Sequence, residues 1–588
     1  MISPIFDWQI IFRLKQTIIL LLTLFCCLPA MARGIDMQTA KYATMQLFIA
    51  HGSAADSSHL SAVSWYEDET NKYPAFYVVT NSMGGFAIVS ATDQVQPIFA
   101  YSDEANFQLS NISPEVKNWM KHYAAAIKYV RQHNIEQAGA KSAWAQLLDG
   151  QNTFIAGKTT IVKPLLTTTW NQSTPYNNLC PLDVAANRRT YTGCVATVLA
   201  QIMKYWSWPV RGIGNHTYRD STFGTLHADF SRTNYQWSKM PNNVVSANAW
   251  VDTLMYQAGV AVNMSYGVIS SSSYVLEYQC PIRNNAQFAL VNYFCYNPGI
   301  MGFSRTNFSD EQWLQMLENE LNAGRPVIYN GANDTEGHSF IADGYDANGN
   351  IHFNWGWGGA YNGYYSIGNI APDSINFMQD NSILTGIQPD TTRSLVMADA
   401  ISVPDSVFGE KPFKVSASVI NVNKKKFDGT VFGVLLNDNA PYSADTIALS
   451  NETIASGDSL SMVFSFDGLI AGNYHLYLHY SDLNSEFASV DSTADYQSIA
   501  PLYIAGGTQR SFYVFPNPAQ DYFAISLNNT SALAYKICDA SGRLILQGSL
   551  NDAAAVIPVN SAALLPGIYF VTLSTPYGIL AGKVSVNH

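Results

Sequence analysis

Two residues of this chain are suited to covalent chemistry, a cysteine that opens a helix and a histidine far downstream. In the run Tyr191-Thr192-Gly193-Cys194, continued to Tyr205, apolar side chains recur at Val195, Val198, Leu199, Ile202 and Met203. That i, i+3, i+4, i+7, i+8 spacing is one buried face of an α-helix. Thr192 and Gly193 suit its start, so Cys194 falls in the first turn. There the unpaired N–H groups and the positive end of the helix dipole favour a thiolate, which is the nucleophilic form of cysteine. Alone the signal is weak, because a small cysteine at a helix start is more often a packed apolar residue.

A nucleophile of this kind needs a base. Four histidines, His216, His227, His338 and His352, lie between residues 156 and 388. His338 sits in Gly337-His338-Ser339-Phe340-Ile341, a strand pattern that holds the ring rigidly while Gly337 leaves one side open. A turn at 346–350 and the run Ile351-His352-Phe353-Asn354-Trp355-Gly356-Trp357-Gly358-Gly359 read as a hairpin returning Asn354 and Trp355 towards His338. An Asn side-chain carbonyl can hold the far imidazole N–H, and an indole can shield that bond from water. Which of Asn354 and Trp355 orients the ring stays open at this stage. Upstream, Gln172 lies in the turn-rich stretch Trp170 to Asn177 and could place its amide beside the Cys194 N–H. Two such donors stabilise a tetrahedral oxyanion, each worth about 3 kcal/mol of barrier.

The elements that must position these groups belong to a long, weakly charged chain. Its 588 residues are 47% hydrophobic and 13% charged, the pattern of a folding chain of three or four domains. The net charge of −12 argues against a nucleic-acid partner, and the one basic island, Lys424-Lys425-Lys426, reads as a solvated turn. Arg13 and Lys15, an apolar run from Thr17 to Leu28 and the string Ala30-Met31-Ala32 have the layout of a cleaved export signal. No later stretch is long enough for a transmembrane segment. Of 7 cysteines, Cys26 and Cys27 leave with that signal; Cys180, Cys194, Cys280, Cys295 and Cys538 remain. The odd remainder leaves at least one thiol unpaired within the chain. With no Cys-x-x-Cys pair, a zinc ribbon is not expected.

Along the chain, residues 33–155 form a first unit, with a short helix at 37–50, strands at 76–79 and 85–89, and a helix from Pro114 capped by Ser113. Residues 156–388 hold every candidate catalytic group. From 392 to 505 and again from 510 to 588, period-two strands separated by turn signals suggest two β-sandwich-like modules.

The strings Trp170-Asn171-Gln172…Pro175-Tyr176-Asn177, Thr192-Gly193-Cys194-Val195-Ala196-Thr197, Gly337-His338 and Asn354-Trp355-Gly356-Trp357-Gly358-Gly359 together resemble the streptopain- and interpain-type papain-like cysteine proteases. The resemblance implies an α+β, two-lobed protease domain over 156–388, with Cys194 on a helical lobe and His338 on a β lobe. It implies Cys194 as nucleophile, His338 as base, and Gln172 with the Cys194 N–H as the oxyanion hole. Asn354 or Trp355 would orient His338, and Ser271, Gly337 and Trp357 would contact substrate. Proteins or peptides are the implied substrates, with no cofactor or metal. Residues 33–155 resemble the family's small α+β inhibitory propeptide, joined through an exposed linker at 153–158 where cleavage is expected. In the last module Val514-Phe515-Pro516-Asn517-Pro518, Asp539-Ala540-Ser541-Gly542-Arg543 and Leu565-Pro566-Gly567 resemble a type IX sorting domain. That likeness implies an export machinery as partner, and release or attachment at the outer cell surface. An adhesin with a secondary protease domain, or another Cys–His enzyme such as an amidase or transglutaminase, are the alternatives.

Overall fold

The computed structural model describes residues 34–53, 56–66, 73–150, 160–276, 284–332, 337–368, 381–391, 394–398, 413–437, 440–466, 474–482, 501–503, 511–528, 534–539, 544–549, 556–575 and 578–587. The export signal at 1–32, the linker at 153–158 and Cys280 lie outside these residues.

The first unit is a four-stranded antiparallel meander, Leu60–Trp65, Phe76–Asn81, Phe86–Ser90 and Ile98–Ser102, with a helix on each face. Its two central strands read as continuous apolar runs because both faces are covered. Phe76, Val78, Phe86 and Ile88 turn towards one core, and Tyr77, Val79, Ala87 and Val89 towards another. The helix Met37–Ala50 is capped by Asp36, whose carboxylate accepts from the Thr39 N–H at 2.7 Å; it buries Ala40, Ala43, Leu47 and Phe48 in the second core. The helix Pro114–His133 is capped by Ser113 and lays Val116, Met120, Tyr123 and Ile127 into the first.

That meander continues into the next unit as one sheet. Ile98–Ser102 pairs with Gly363–Tyr365, with Tyr101 opposite Tyr364 and Ala100 opposite Tyr365. Beyond it run Ile351–Asn354, Gly337–Asp346, Val327–Ala332, Ser382–Thr385 and Met301–Ser304, all antiparallel; Thr160–Val162 pairs with the end of Gly337–Asp346. The apolar core under this seam mixes Phe99, Phe107, Trp119 and Tyr123 of the first unit with Phe340, Phe353, Trp355 and Tyr365 of the second.

A second lobe is helical. Cys194–Trp206, Ala249–Ala261 and Ala286–Asn292 share a core built around Val198, Leu199, Ile202, Leu254, Met255 and Leu290. The fold is therefore α+β, a papain-like pair of lobes, and the remaining chain is strand-rich. Leu395–Met397, Phe413–Asn421 and Ser459–Phe466 form one sheet, and Phe427–Asn437, Ala440–Ile454, Tyr474–Asp482 and Pro501–Tyr503 another. Val415, Val419, Phe427, Val431 and Phe464 fill the space between them. Two further sheets, over 511–560 and 534–586, enclose Phe523, Ile525, Ile537, Val571 and Val584. The lysine island at 424–426 is exposed as its charge dictates, yet the Lys424 ammonium reaches the carbonyl of Trp206, at the end of the Cys194 helix, at 2.6 Å. Among the described residues no helix is long and apolar enough to cross a membrane, which says nothing of a β-barrel.

Candidate active site

Cys194 is the first residue of its helix and is half-exposed. Gly193, the residue before it, adopts φ 88° and ψ 147°, where a side chain is strained. A Cβ there would sit 2.5 Å from Met264 Sδ and 3.2 Å from the Ser271 carbonyl oxygen, so glycine is required on steric grounds as well. With no side chain at the cap, two buried threonines order the turn. Thr197 Oγ1 donates to the Gly193 carbonyl at 3.0 Å, and Thr192 Oγ1 lies 2.9 Å from Thr197 Oγ1. The Thr192 N–H donates to the Gln172 carbonyl at 3.0 Å, which ties the buried Gln172 to the chain two residues ahead of Cys194.

His338 is the second residue of its strand, and it is buried. Its Nε2 lies 3.0 Å from the backbone carbonyl oxygen of Trp355. A carbonyl only accepts, so this bond places the proton on Nε2 and, in the neutral ring, the basic lone pair on Nδ1. The imidazole lies nearly parallel to Trp357 on one hand (centroids 5.5 Å, 16°) and to Phe340 on the other (6.0 Å, 17°).

Of Asn354 and Trp355, it is Trp355 that meets His338, and it does so through its main-chain carbonyl. The Asn354 amide is engaged elsewhere: Nδ2 donates to the Thr168 carbonyl at 2.8 Å, and Oδ1 accepts from the Gly356 N–H at 3.1 Å. Trp355 meets the histidine through its backbone, while its buried indole stacks on Phe340 at 4.4 Å and so backs the ring that flanks His338. Trp357, expected against substrate, lies flat on the imidazole. Ser271, also expected to touch substrate, is buried with its hydroxyl turned into its own loop: it accepts from the Gly267 N–H at 3.0 Å and donates to the Tyr191 carbonyl at 2.8 Å. It braces the wall behind Gly193. Gly337 is exposed beside His338.

The glycine-tryptophan turn brings these segments together. Gly356, next to the carbonyl that holds His338, has φ 72°, and a Cβ on it would lie 3.3 Å from the Thr197 methyl, one turn beyond Cys194. Two residues on, the Gly358 N–H donates to the Trp170 carbonyl at 3.1 Å, in the Gln172 segment. The first unit packs behind the same turn. Asn106 and Gln108 offer carbonyls to the Tyr361 N–H (3.2 Å) and hydroxyl (3.0 Å), and Phe107 meets the Tyr361 ring edge-on at 5.0 Å. Elsewhere, burial pushes the Cys180 thiol up to about 12, which leaves it unreactive at neutral pH.

Sequence reasoning gave no role to Gln201, Thr197 or Met264. A signal existed for two of them: Thr197 and Gln201 stand at i+3 and i+7 from Cys194, polar residues on the helix face that carries the thiol, beside the apolar stripe.

Comparison with known proteins agrees with this arrangement. Residues 170–365 match the Peptidase C10 family, residues 32–127 the Spi protease inhibitor, and residues 513–587 a secretion system C-terminal sorting domain. The chain is 27% identical over 391 residues to the thiol protease/hemagglutinin PrtT of Porphyromonas gingivalis, covering 62% of this chain and 43% of that protein. It is 29% identical over 347 residues to streptopain of Streptococcus pyogenes, covering 53% of this chain and 80% of that one. Among solved structures, a Prevotella intermedia prointerpain A fragment is 30% identical and wholly covered by 56% of this chain, with TM-score 0.44. Active interpain A of the same organism is 35% identical, with 93% of it and 38% of this chain covered and TM-score 0.33. The chain thus spans less than half the length of PrtT. Residues 170–365 are thus a cysteine peptidase domain of the Peptidase C10 family, with an inhibitor-type unit, matched over residues 32–127, joined to its sheet.

Proposed function

We propose that this protein is a cysteine endopeptidase made as a self-inhibited zymogen, which reacts through Cys194 and His338. The observation that carries the reading is a half-exposed thiol at a helix N-terminus whose next turn abuts Gly356, the neighbour of the Trp355 carbonyl that holds the Nε2 proton of His338. In this reading the Cys194 thiolate attacks the scissile carbonyl carbon. Charge on the carbonyl oxygen is met by the Cys194 N–H and the Gln172 amide. The imidazolium of His338 protonates the departing amine, leaving a thioester. His338 then takes a proton from water, which hydrolyses that thioester and restores the thiol. Gly337 and the lip of its strand face the substrate. Trp357 keeps water from the His338–Trp355 bond.

Residues 33–155 act as the inhibitor, 156–388 as the protease, 392–505 as a β module and 510–588 as the sorting domain, through which an export machinery engages the chain. The sorting-domain match places the protein outside the cell or on its surface. Substrates are proteins or peptides.

The test is the purified precursor incubated under reducing conditions, with and without a thiol-alkylating reagent, and followed by mass. The expected result is self-shortening near residues 145–160 that alkylation or Cys194→Ala abolishes. Processing and casein cleavage that persist in Cys194→Ala would overturn the assignment.

A further inference from the structure

The catalytic helix carries a polar residue that the reaction scheme above does not use. Gln201 stands two turns beyond Cys194 and is wholly buried. Its Oε1 accepts from the Thr168 hydroxyl at 2.9 Å and from the Trp170 N–H at 3.3 Å, so the other amide atom is the donor. That donor, Nε2, reaches Asn354 Oδ1 at 3.3 Å, and Asn354 Nδ2 reaches back to Gln201 Oε1 at 3.3 Å. The Asn354 amide is fixed the same way round by its bonds from the Gly356 N–H and to the Thr168 carbonyl. Two side chains 153 residues apart in sequence therefore form a reciprocal amide pair in the dry space between the lobes.

We propose that the Gln201–Asn354 pair is a positioning device that sets the register of the Cys194 helix against the His338 strand. The geometry supports a role in alignment over one in simple adhesion. Gln201 is rigidly connected to Cys194 by the helix. Asn354 is bonded through its backbone neighbour: Trp355 follows it directly and supplies the carbonyl that holds His338. Asn354 also faces Ile341 across the ladder, three residues along the strand that bears His338. The same Gln201 oxygen fixes the Trp170 N–H, and hence the start of the segment that places Gln172. One amide thus touches all three segments of the site, and every one of its polar atoms is paired. Apolar replacements leave buried donors and acceptors unmatched and let the lobes slide. Reacting groups held a tenth of a nanometre out of place lose about 10²-fold in rate.

This inference rests on the reading of Cys194 and His338 as the reacting pair, and the test separates the two. Gln201→Met, Asn354→Leu and the double variant are prepared as full chains, processed in trans by a trace of wild-type enzyme, and compared with wild type. Peptide turnover is measured together with the pH profile of Cys194 alkylation. The expected result is a kcat lower by about 10²-fold in each single variant, with KM changed far less, and a double variant no slower than the slower single, as for residues that act as one unit. Alkylation in the variants loses its acidic limb and follows an ordinary thiol near pH 8.5. Should Gln201→Met fail to fold, Gln201→Asn is read in its place; it keeps an amide but falls about one C–C bond, roughly 1.5 Å, short of Asn354. Wild-type alkylation that itself follows an ordinary thiol would defeat the dyad reading. An acidic limb in wild type that the folded variants retain, with unchanged kcat or with strictly additive losses, would overturn the positioning role alone.

Discussion

Substituting Gly193 by alanine tests whether the mouth of the catalytic helix is as tightly defined as its geometry requires. Two costs add. The backbone at φ 88° and ψ 147° is open mainly to glycine, and holding another residue there costs about 1–3 kcal/mol. The added methyl meets Met264 Sδ at 2.5 Å, where ordinary contact begins at 3.4 Å. Met264 is fully buried, so overpacking contributes about 1–3 kcal/mol more. The sum, about 2–6 kcal/mol, is a large share of a typical total stability of about 5–15 kcal/mol. If the chain relieves the clash by moving Gly193 rather than Met264, the displacement is about 0.9 Å, the difference between those two distances. A shift of that size at the residue before the nucleophile costs about 10²-fold in turnover. Denaturant unfolding and peptide hydrolysis measure the two effects. The double variant Gly193→Ala/Met264→Ala divides them further: it removes the clash but keeps the strained φ, so its destabilisation falls short of the sum of the singles by about 1–3 kcal/mol. A Gly193→Ala protein with wild-type midpoint and wild-type turnover would refute both the steric and the backbone argument.

Other expectations follow from the same contacts. Trp357→Ala removes the ring lying on His338, a stack worth about 0.5–1.5 kcal/mol; turnover falls about tenfold or less by the same arithmetic, with little change in unfolding midpoint. Tyr123→Phe deprives the Ser366 and Gly368 carbonyls of a buried donor at 2.8 and 3.0 Å on the inhibitor–protease seam. The one hydroxyl proton is shared between the two carbonyls, and its loss costs about 1 kcal/mol, so the precursor processes itself several-fold faster, as followed by mass against time; an unchanged rate would show that the seam does not limit release. Cys180 gives a pH signature. Its thiol is pushed up to about 12 in the folded protein by burial, while in the unfolded chain it titrates near 8.5. Above about pH 8.5 the unfolded state therefore binds fewer protons than the native state. Stability then falls by up to about 1.4 kcal/mol per pH unit between about 8.5 and 9.5, below the range where unfolded tyrosines titrate. Cys180→Ala flattens that part of the stability curve; an equally steep decline in the variant would assign it to other groups.

How far the site was legible in the sequence depends on where its information is stored. Cys194 and His338 stood out because each opens an element with a clean period, a 3.6-residue apolar stripe in one case and an apolar strand in the other. The strands at 76–81 and 86–90 were legible for the same reason, and the helix at 114–133 was marked by its Ser-Pro start. Their union with the protease sheet was not, since strand pairing between Tyr101 and Tyr364 leaves no local mark on either segment. Ser271 shows the same limit, since a serine in a loop looks alike in sequence whether its hydroxyl faces outward or, as here, its own backbone. The group that holds His338 was the hardest to foresee. It is a main-chain carbonyl, which every residue possesses.

A main-chain acceptor on His338 decides what substitutions in the hairpin report. Replacing the Trp355 side chain leaves its carbonyl in place, so a loss of activity in Trp355→Ala reports the indole packed on Phe340 and not the acceptor on Nε2. Replacing Asn354, by contrast, imitates the loss of a His-orienting amide without being one, because its amide bonds run to Thr168, Gly356 and Gln201. The two cases separate by coupling. An amide that orients His338 directly is coupled to the imidazole and indifferent to Gln201. An amide that aligns the lobes is strongly coupled to Gln201, so that once Gln201 is gone, removing Asn354 costs little more.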